Sequence, residues 1–274
     1  MRVTVLVENT SVSEEYGHKH GLSLYIEAAG HKILFDLGSD DLFAVNAEKL
    51  GIEIGEVDTV VISHGHDDHG GALERFFELN HIAKVYIQES AFGAYYQATF
   101  EKLRKYIGLD QELRDSDRIV LLDGDYQVDD VISLYSRVDL KYPVPRTNLS
   151  LYVKKREGYL HDDFSHEQNM MIRENGKVYI FAGCAHNGIM NILDKGEQIC
   201  GQKIDSVFGG FHLYNQETQE YESDSFIALI SQLIRRKDTI FYTCHCTGEK
   251  AYGQLKELLH DQMHYIRAGE VIHL

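Results

Sequence analysis

Residues 64–69 place His64, His66, Asp68 and His69, three imidazoles and one carboxylate, within six consecutive positions. That donor mixture suits zinc, iron, manganese or nickel and is too rich in nitrogen for calcium or magnesium. A loop of this length can turn its donors in opposite directions. His64 and His66 can serve one centre, and Asp68 and His69 a neighbouring one. Gly65, Gly70 and Gly71 would give the backbone the freedom for those turns. The expected cofactors are two divalent metal ions, zinc first, with iron or manganese as alternatives.

The elements around this loop repeat one arrangement. Val57–Ser63 is a β-branched run that reads as a buried strand, and it ends at His64. Lys177–Phe181 leads into Cys184 and His186, Lys203–Phe208 into Gly209, Gly210 and His212, and Thr239–Thr243 into Cys244, His245 and Cys246. Four strands therefore end in loops bearing histidine, and ligands collect where the strands of α/β layers end. These loops are expected to share one edge of the fold. Other strands read at Val3–Val7, Leu22–Glu27, Lys32–Asp36, Arg118–Leu122, Ile132–Tyr135 and Leu149–Val153, with a hairpin turn at Ala29, Gly30 and His31. Asp41–Leu50, a segment from about Ala72 and Asp224–Arg236 read as helices. Residues 91–118 are expected to form a helical insertion whose apolar stripe (Phe92, Tyr95, Tyr96, Phe100, Leu103, Tyr106) serves packing.

Composition narrows the class. The chain has 274 residues, and no linker or low-complexity segment divides it, so residues 1–274 are expected to form a single domain. With 43 acidic against 27 basic residues the net charge is −16, which repels phosphate backbones and anionic membranes. The expected partner is a small-molecule substrate, with neither nucleic acid nor membrane. Four irregularly spaced cysteines do not form a disulfide framework. The N-terminal run Met1–Val7 is too short for a signal peptide, so a cytoplasmic location is expected.

Phe35-Asp36-Leu37-Gly38, the six-residue motif at 64–69, Phe181-Ala182-Gly183-Cys184, Tyr242-Thr243-Cys244-His245 and the closing Arg267–Ile272, in that order, resemble the metallo-β-lactamase superfamily over essentially the whole chain. A narrower resemblance is carried by His20–Ser23, Gly183–Ile189, Gly209–Leu213 and His245–Gly248. It points to a prokaryotic subgroup of metal-dependent hydrolases that includes dihydropterin ribofuranosylaminobenzene 5′-phosphate synthase-like proteins. The resemblance implies an α/β fold, a four-layer αβ/βα sandwich of two mixed β-sheets flanked by helices.

It also implies further ligands. His245 falls where the superfamily carries the last histidine of the second metal. For the first metal His186 is preferred, with His166 the alternative because the third histidine usually comes earlier. Cys184 replaces a bridging aspartate and is either a ligand or a small buried hydrophobe. Asp36 is expected to orient a ligand histidine. Asp68 and His212 are the expected catalytic residues, His212 as a substrate or transition-state contact. His20, Asn187 and Thr247 would add to a polar pocket, and Lys19, Arg146 and Arg173 are candidate anion contacts.

The expected function is dinuclear metal-dependent hydrolysis, with a metal-activated water attacking a small ester or phosphodiester, a phosphorylated molecule being one candidate that the subgroup resemblance suggests. Two rivals stand beside it. An iron-dependent redox enzyme would use the same ligands and is separated by metal analysis with an oxygen-consumption assay. A non-catalytic binding protein on a metal scaffold would keep its ligand binding without Asp68.

Overall fold

Side-chain alternation along the β-branched runs decides the layering. In the computed structural model, which describes residues 1–99 and 104–274, the strand His31–Phe35 turns Ile33 and Phe35 to one side and Leu34 to the other. The strand Thr59–Val61 divides Val61 and Val60 in the same way. These two strands belong to a mixed sheet of seven, in spatial order Val271–His273, Arg2–Val7, Ser23–Ala28, His31–Phe35, Thr59–Val61, Lys84–Gln88 and Ile119–Leu122. A second mixed sheet of seven runs Met263–Tyr265, Ile240–Thr243, Ser206–Gly209, Lys177–Phe181, Gln168–Glu174, Ile132–Ser136 and Tyr126–Gln127. Each sheet is antiparallel along one half and parallel along the other.

The inner faces meet in a core built from residues such as Leu24, Phe35, Val61, Met170, Phe181 and Phe208. On the outer face of the first sheet, Leu34 and Val60 pack against Phe43 of the helix Leu42–Lys49 and Phe76 of the helix Leu73–Leu79. On the outer face of the second, Ile180 and Val207 meet the helices Ile189–Cys200, Asp224–Ile234 and Glu249–Leu259. The result is the four-layer αβ/βα sandwich expected from the sequence. No helix among the described residues is long and apolar enough to cross a membrane.

Local chemistry explains most boundaries. Ala29 and Gly30 both have positive φ (51° and 89°), as a two-residue turn matching the strand twist requires, and they join Ser23–Ala28 to His31–Phe35. Gly51, at φ 68°, ends the Leu42–Lys49 helix. The helices Ile189–Cys200 and Glu249–Leu259 were not expected, because Gly196 and Gly253 interrupt their apolar pattern. Gly196 has a steric reason: a Cβ there would sit 2.5 Å from Ile180 Cδ1, so the glycine lets the helix lie close on its strand.

The expected helical insertion over 91–118 is corrected by the structure. The described residues of that segment hold strands Tyr95–Ala98 and Arg104–Tyr106, flanked by 3-10 turns at Glu89–Phe92 and Gln111–Asp115. Phe100 and Leu103 lie outside the described residues. The two strands join Leu151–Lys155 and Gly158–His161 in a separate four-stranded sheet. Aromatic residues favour this arrangement: Tyr96 stands opposite Tyr152 on one side and Tyr106 on the other, while Tyr95 is buried. The exit of this sheet braces the histidine loop, with Asp67 N–H donating to Ile107 O at 2.8 Å.

Phe181 is fully buried between the sheets, its ring 5.0 Å from that of Phe208 and 6.0 Å from that of Phe35. Phe181→Ala is expected to lower unfolding free energy by about 3–5 kcal/mol in urea denaturation. A loss below about 1 kcal/mol would contradict packing of the sheets through this ring.

Candidate metal centre

Four strands point their C-terminal ends at one cleft. Thr59–Val61 lies in the first sheet, and the parallel neighbours Lys177–Phe181, Ser206–Gly209 and Ile240–Thr243 lie in the second. The loops that follow bend sharply: Ala185, His212 and His245 adopt φ of 52°, 48° and 51°, and Asp36 adopts 60°. Such conformations cost free energy for non-glycine residues and persist where packing and hydrogen bonds enforce them. The glycines act chiefly by leaving room. A Cβ at Gly183 would lie 2.2 Å from Ser63 Oγ, and one at Gly65 would lie 2.3 Å from Ala91 O. Gly65, Gly70 and Gly71 are not among the residues with positive φ, so the expectation that they supply conformational freedom is replaced by close approach.

The loops bring His64, His66, Asp68, His69, Cys184, His186, His212 and His245 together. Ligating atoms of His64, His66 and His186 lie within 4.8 Å of one another. Asp68 Oδ2 is 3.2 Å from His245 Nε2 and 3.7 Å from His69 Nε2. Cys184 Sγ lies 3.2 Å from His69 Nε2 and also groups with His186 and His212, so it stands between the two halves. His20 reaches Asp68 Oδ2 from the mouth of the cleft at 3.2 Å.

Neighbours fix which nitrogen of each ring faces the cleft. Asp36 accepts from Ser63 N–H, from the Ser63 hydroxyl and from His69 Nδ1, at 2.7, 2.7 and 2.6 Å. Having given its proton to Asp36, the Ser63 hydroxyl accepts from His64 Nδ1 at 2.8 Å. Asn148 donates to His186 O, which leaves its Oδ1 to accept from His186 Nδ1 at 2.9 Å. Asn9 holds His245 the same way, donating to its carbonyl and accepting from Nδ1 at 2.9 Å. Glu8 accepts the His245 N–H at 2.7 Å. With Nδ1 as donor, the neutral rings of His64, His186 and His245 each carry a lone pair at Nε2.

Those lone pairs test whether the residues fit a metal. Nε2 of His64, His66, His186 and His245 is buried with no hydrogen-bond partner, and so are both nitrogens of His212. Buried polar atoms are rarely left unpaired, and a cluster of them facing one another calls for a shared cation. Burial first, and then neighbouring imidazoles, push His64 and His186 well below the usual histidine range and His245 to about 3, so these rings are neutral, as ligands must be. Burial would lower His69 too, but the Asp68 and Asp36 carboxylates outweigh it and hold it at about 9. The donor set fits a divalent metal.

Other expected residues divide. His166 accepts from Gly65 N–H at Nδ1 and contacts Asp162 Oδ2 with Nε2 at 3.0 Å, so both ring nitrogens are engaged away from the donor cluster. His20 and His212 line the cleft. Asn187 instead binds Glu167, and Thr247 bonds Phe211 N–H and Thr243, so both belong to the supporting framework. Lys19 pairs with Asp40, Arg173 reaches Ser133, and Arg146 borders a different depression. Among the described residues, the lysine lining the cleft is Lys105, with Gln97, Tyr214 and Asn215 beside it. Sequence reasoning missed these residues, as well as Glu8, Asn9 and Asn148, because nothing in their local spacing links them to the histidines.

The sequence profile described as the metallo-beta-lactamase superfamily matches residues 16–138. An uncharacterized protein of Methanocaldococcus jannaschii is 27% identical, covering 98% of this chain and 99% of the relative. The 7,8-dihydropterin-6-methyl-4-(beta-D-ribofuranosyl)-aminobenzene-5'-phosphate synthase of the same organism is 24% identical over 98% of this chain and 95% of its own length. A crystal structure described as Tm1679, a metal-dependent hydrolase of the beta-lactamase superfamily, superposes with a TM-score of 0.83 at 28% identity, covering 100% of this chain and 99% of that one.

Asp36→Asn tests the orienting network. Asn tolerates positive φ, but its amide would present N–H groups to donors that now give to a carboxylate. Zinc affinity is expected to fall about 10–100-fold with the far-ultraviolet spectrum of the chain unchanged. Unaltered zinc affinity by competition with a chromophoric chelator would contradict the role given to Asp36.

Proposed function

We propose that this chain, which belongs to the metallo-β-lactamase superfamily, holds two divalent metal ions, zinc first, and hydrolyses a small ester or phosphodiester. One observation carries the reading: unpartnered Nε2 atoms of His64, His66, His186 and His245 are buried around one cleft together with Asp68 and Cys184. In this reading His64, His66 and His186 hold one ion, Asp68, His69 and His245 hold the other, and Cys184 lies between them. A pair of divalent ions supplies Lewis acidity and a water acidic enough to act as a nucleophile near neutral pH.

The chain's own residues supply the rest. Burial works against the Asp68 carboxylate, but the surrounding imidazoles, His69 first, hold it well below the usual carboxylate range, so it stays ionised with Oδ2 3.2 Å from His20 Nε2 at the cleft mouth. His212 is kept neutral, at about 3, by burial and the neighbouring imidazole of His66, so it offers substrate one N–H donor and one lone pair. The cleft has a cavity volume of about 160 Å³, which suits a small molecule. Lys105 at its edge, ion-paired to Glu217 at 3.1 Å, is available to an anionic substrate group. The similarity to the synthase, whose name specifies a 5'-phosphate, supports a phosphorylated molecule as substrate. That relative is named a synthase, so group transfer at the same site is the second reading.

Purification without chelators, metal quantification and a panel of phosphodiester, phosphomonoester, lactone and thioester substrates test the proposal. About two metal equivalents and turnover of at least one ester class are expected. His66→Ala should lose one equivalent and drop turnover below detection. Full turnover in that variant, or its persistence in the metal-free chain, would refute the proposed chemistry. Products that join two substrates would favour group transfer.

A further inference from the structure

The ligand assignment proposed above leaves one buried nucleophile on the cleft wall without a task. Cys246 is 3% exposed, and it lines the cleft beside Cys184 and His245. Sγ of both cysteines and a ring nitrogen of His245 lie within 4.8 Å of one another. Were His245 to point into the cleft from an extended strand, both flanking cysteines would face away. The backbone departs from that geometry for one of the two. His245, at φ 51°, opens a 3-10 turn over His245–Thr247 that swings Cys246 toward the cleft, while Cys244 stays in the core between the sheets.

Two further features accommodate this thiol. Gly210 leaves it room, since a Cβ there would stand 2.3 Å from Cys246 Sγ. The backbone N–H of His212 donates to Cys246 Sγ at 3.3 Å, the kind of contact that supports a sulfur carrying negative charge. His245 Nε2, the imidazole member of the group, is buried and has no hydrogen-bond partner. Sulfur and nitrogen donors thus converge, the nitrogen with its lone pair not engaged in a hydrogen bond.

We infer that Cys246 and Cys184 supply a pair of thiolates to the ion held against His245, making that position a mixed sulfur and nitrogen centre selective for a soft divalent metal. The inference rests on the metal reading of the cleft and specifies its second ion. Thiolate ligands favour zinc, cadmium or ferrous iron over magnesium, calcium and manganese. Each thiol releases one proton on binding, so two thiolates balance the charge of one dication.

The test uses the full-length chain stripped of metal and titrated with cadmium, read by ultraviolet thiolate-to-cadmium charge-transfer absorption. Cys246→Ser and Cys184→Ser should each lose about half of the band, and Cys200→Ser, changing a half-buried thiol at the end of the Ile189–Cys200 helix, should lose none. Affinity for the second cadmium should fall at least about tenfold in Cys246→Ser. Cadmium-113 NMR of the unmutated chain gives a reading that no misfolded variant can cloud: one of two signals should fall in the range of two sulfur ligands. Two bound cadmium ions with the full band retained in Cys246→Ser, or an NMR shift typical of one sulfur or none, would overturn this inference and leave the dinuclear reading standing. Absence of any cadmium binding would overturn both.

Discussion

The Asp36 carboxylate is the anchor on which the cleft depends. It is fully buried at the end of the strand His31–Phe35, in a left-handed conformation, and accepts three hydrogen bonds, two from Ser63 and one from His69. A buried carboxylate is tolerable only when its oxygens are satisfied, and here the groups that satisfy it are the ones that orient the histidines. Ser63 carries the constraint on to His64, so one carboxylate sets the ring orientation of a histidine in each half of the cleft. Gly183 lets the second sheet approach this network closely.

The fold turns that local constraint into a site. Histidines at the ends of parallel strands from two sheets cannot meet unless the sheets stack, and the apolar residues of both inner faces make them do so. Side-chain amides and carboxylates then fix each loop from a distant part of the chain. Asn9 and Glu8 leave the first strand to hold His245, and Asn148 reaches His186 from a turn after the four-stranded sheet begins. Buried imidazoles so close together are pushed toward neutrality by burial and by one another, the state in which they ligate metal.

Much of this was legible in the sequence because it is local. The 64–69 motif, the strands ending at His64, His186, His212 and His245, and the alternating apolar residues of Lys32–Phe35 are short-range signals, and they indicated the layers and the shared edge. The 91–118 segment misled because aromatic residues spaced three to four apart satisfy a helical pattern while their partners for strand pairing, such as Tyr152, lie some fifty residues away. The direction of Cys246 was not legible for another reason: it follows from a left-handed residue at His245 that no local rule assigns to histidine. Glu8, Asn9, Asn148 and Lys105 were invisible because their significance exists only across the fold.

In the function proposed for this chain, buried imidazoles and a carboxylate from separate strand ends hold a pair of cations. Anomalous diffraction at the zinc edge, on crystals of chain purified without chelators and supplied with zinc, tests it most directly. Two adjacent anomalous peaks are expected, one against His64, His66 and His186 and one against Asp68, His69 and His245. Crystals of the zinc-supplied chain with no peak in the cleft, or with zinc bound only at surface histidines, would contradict it.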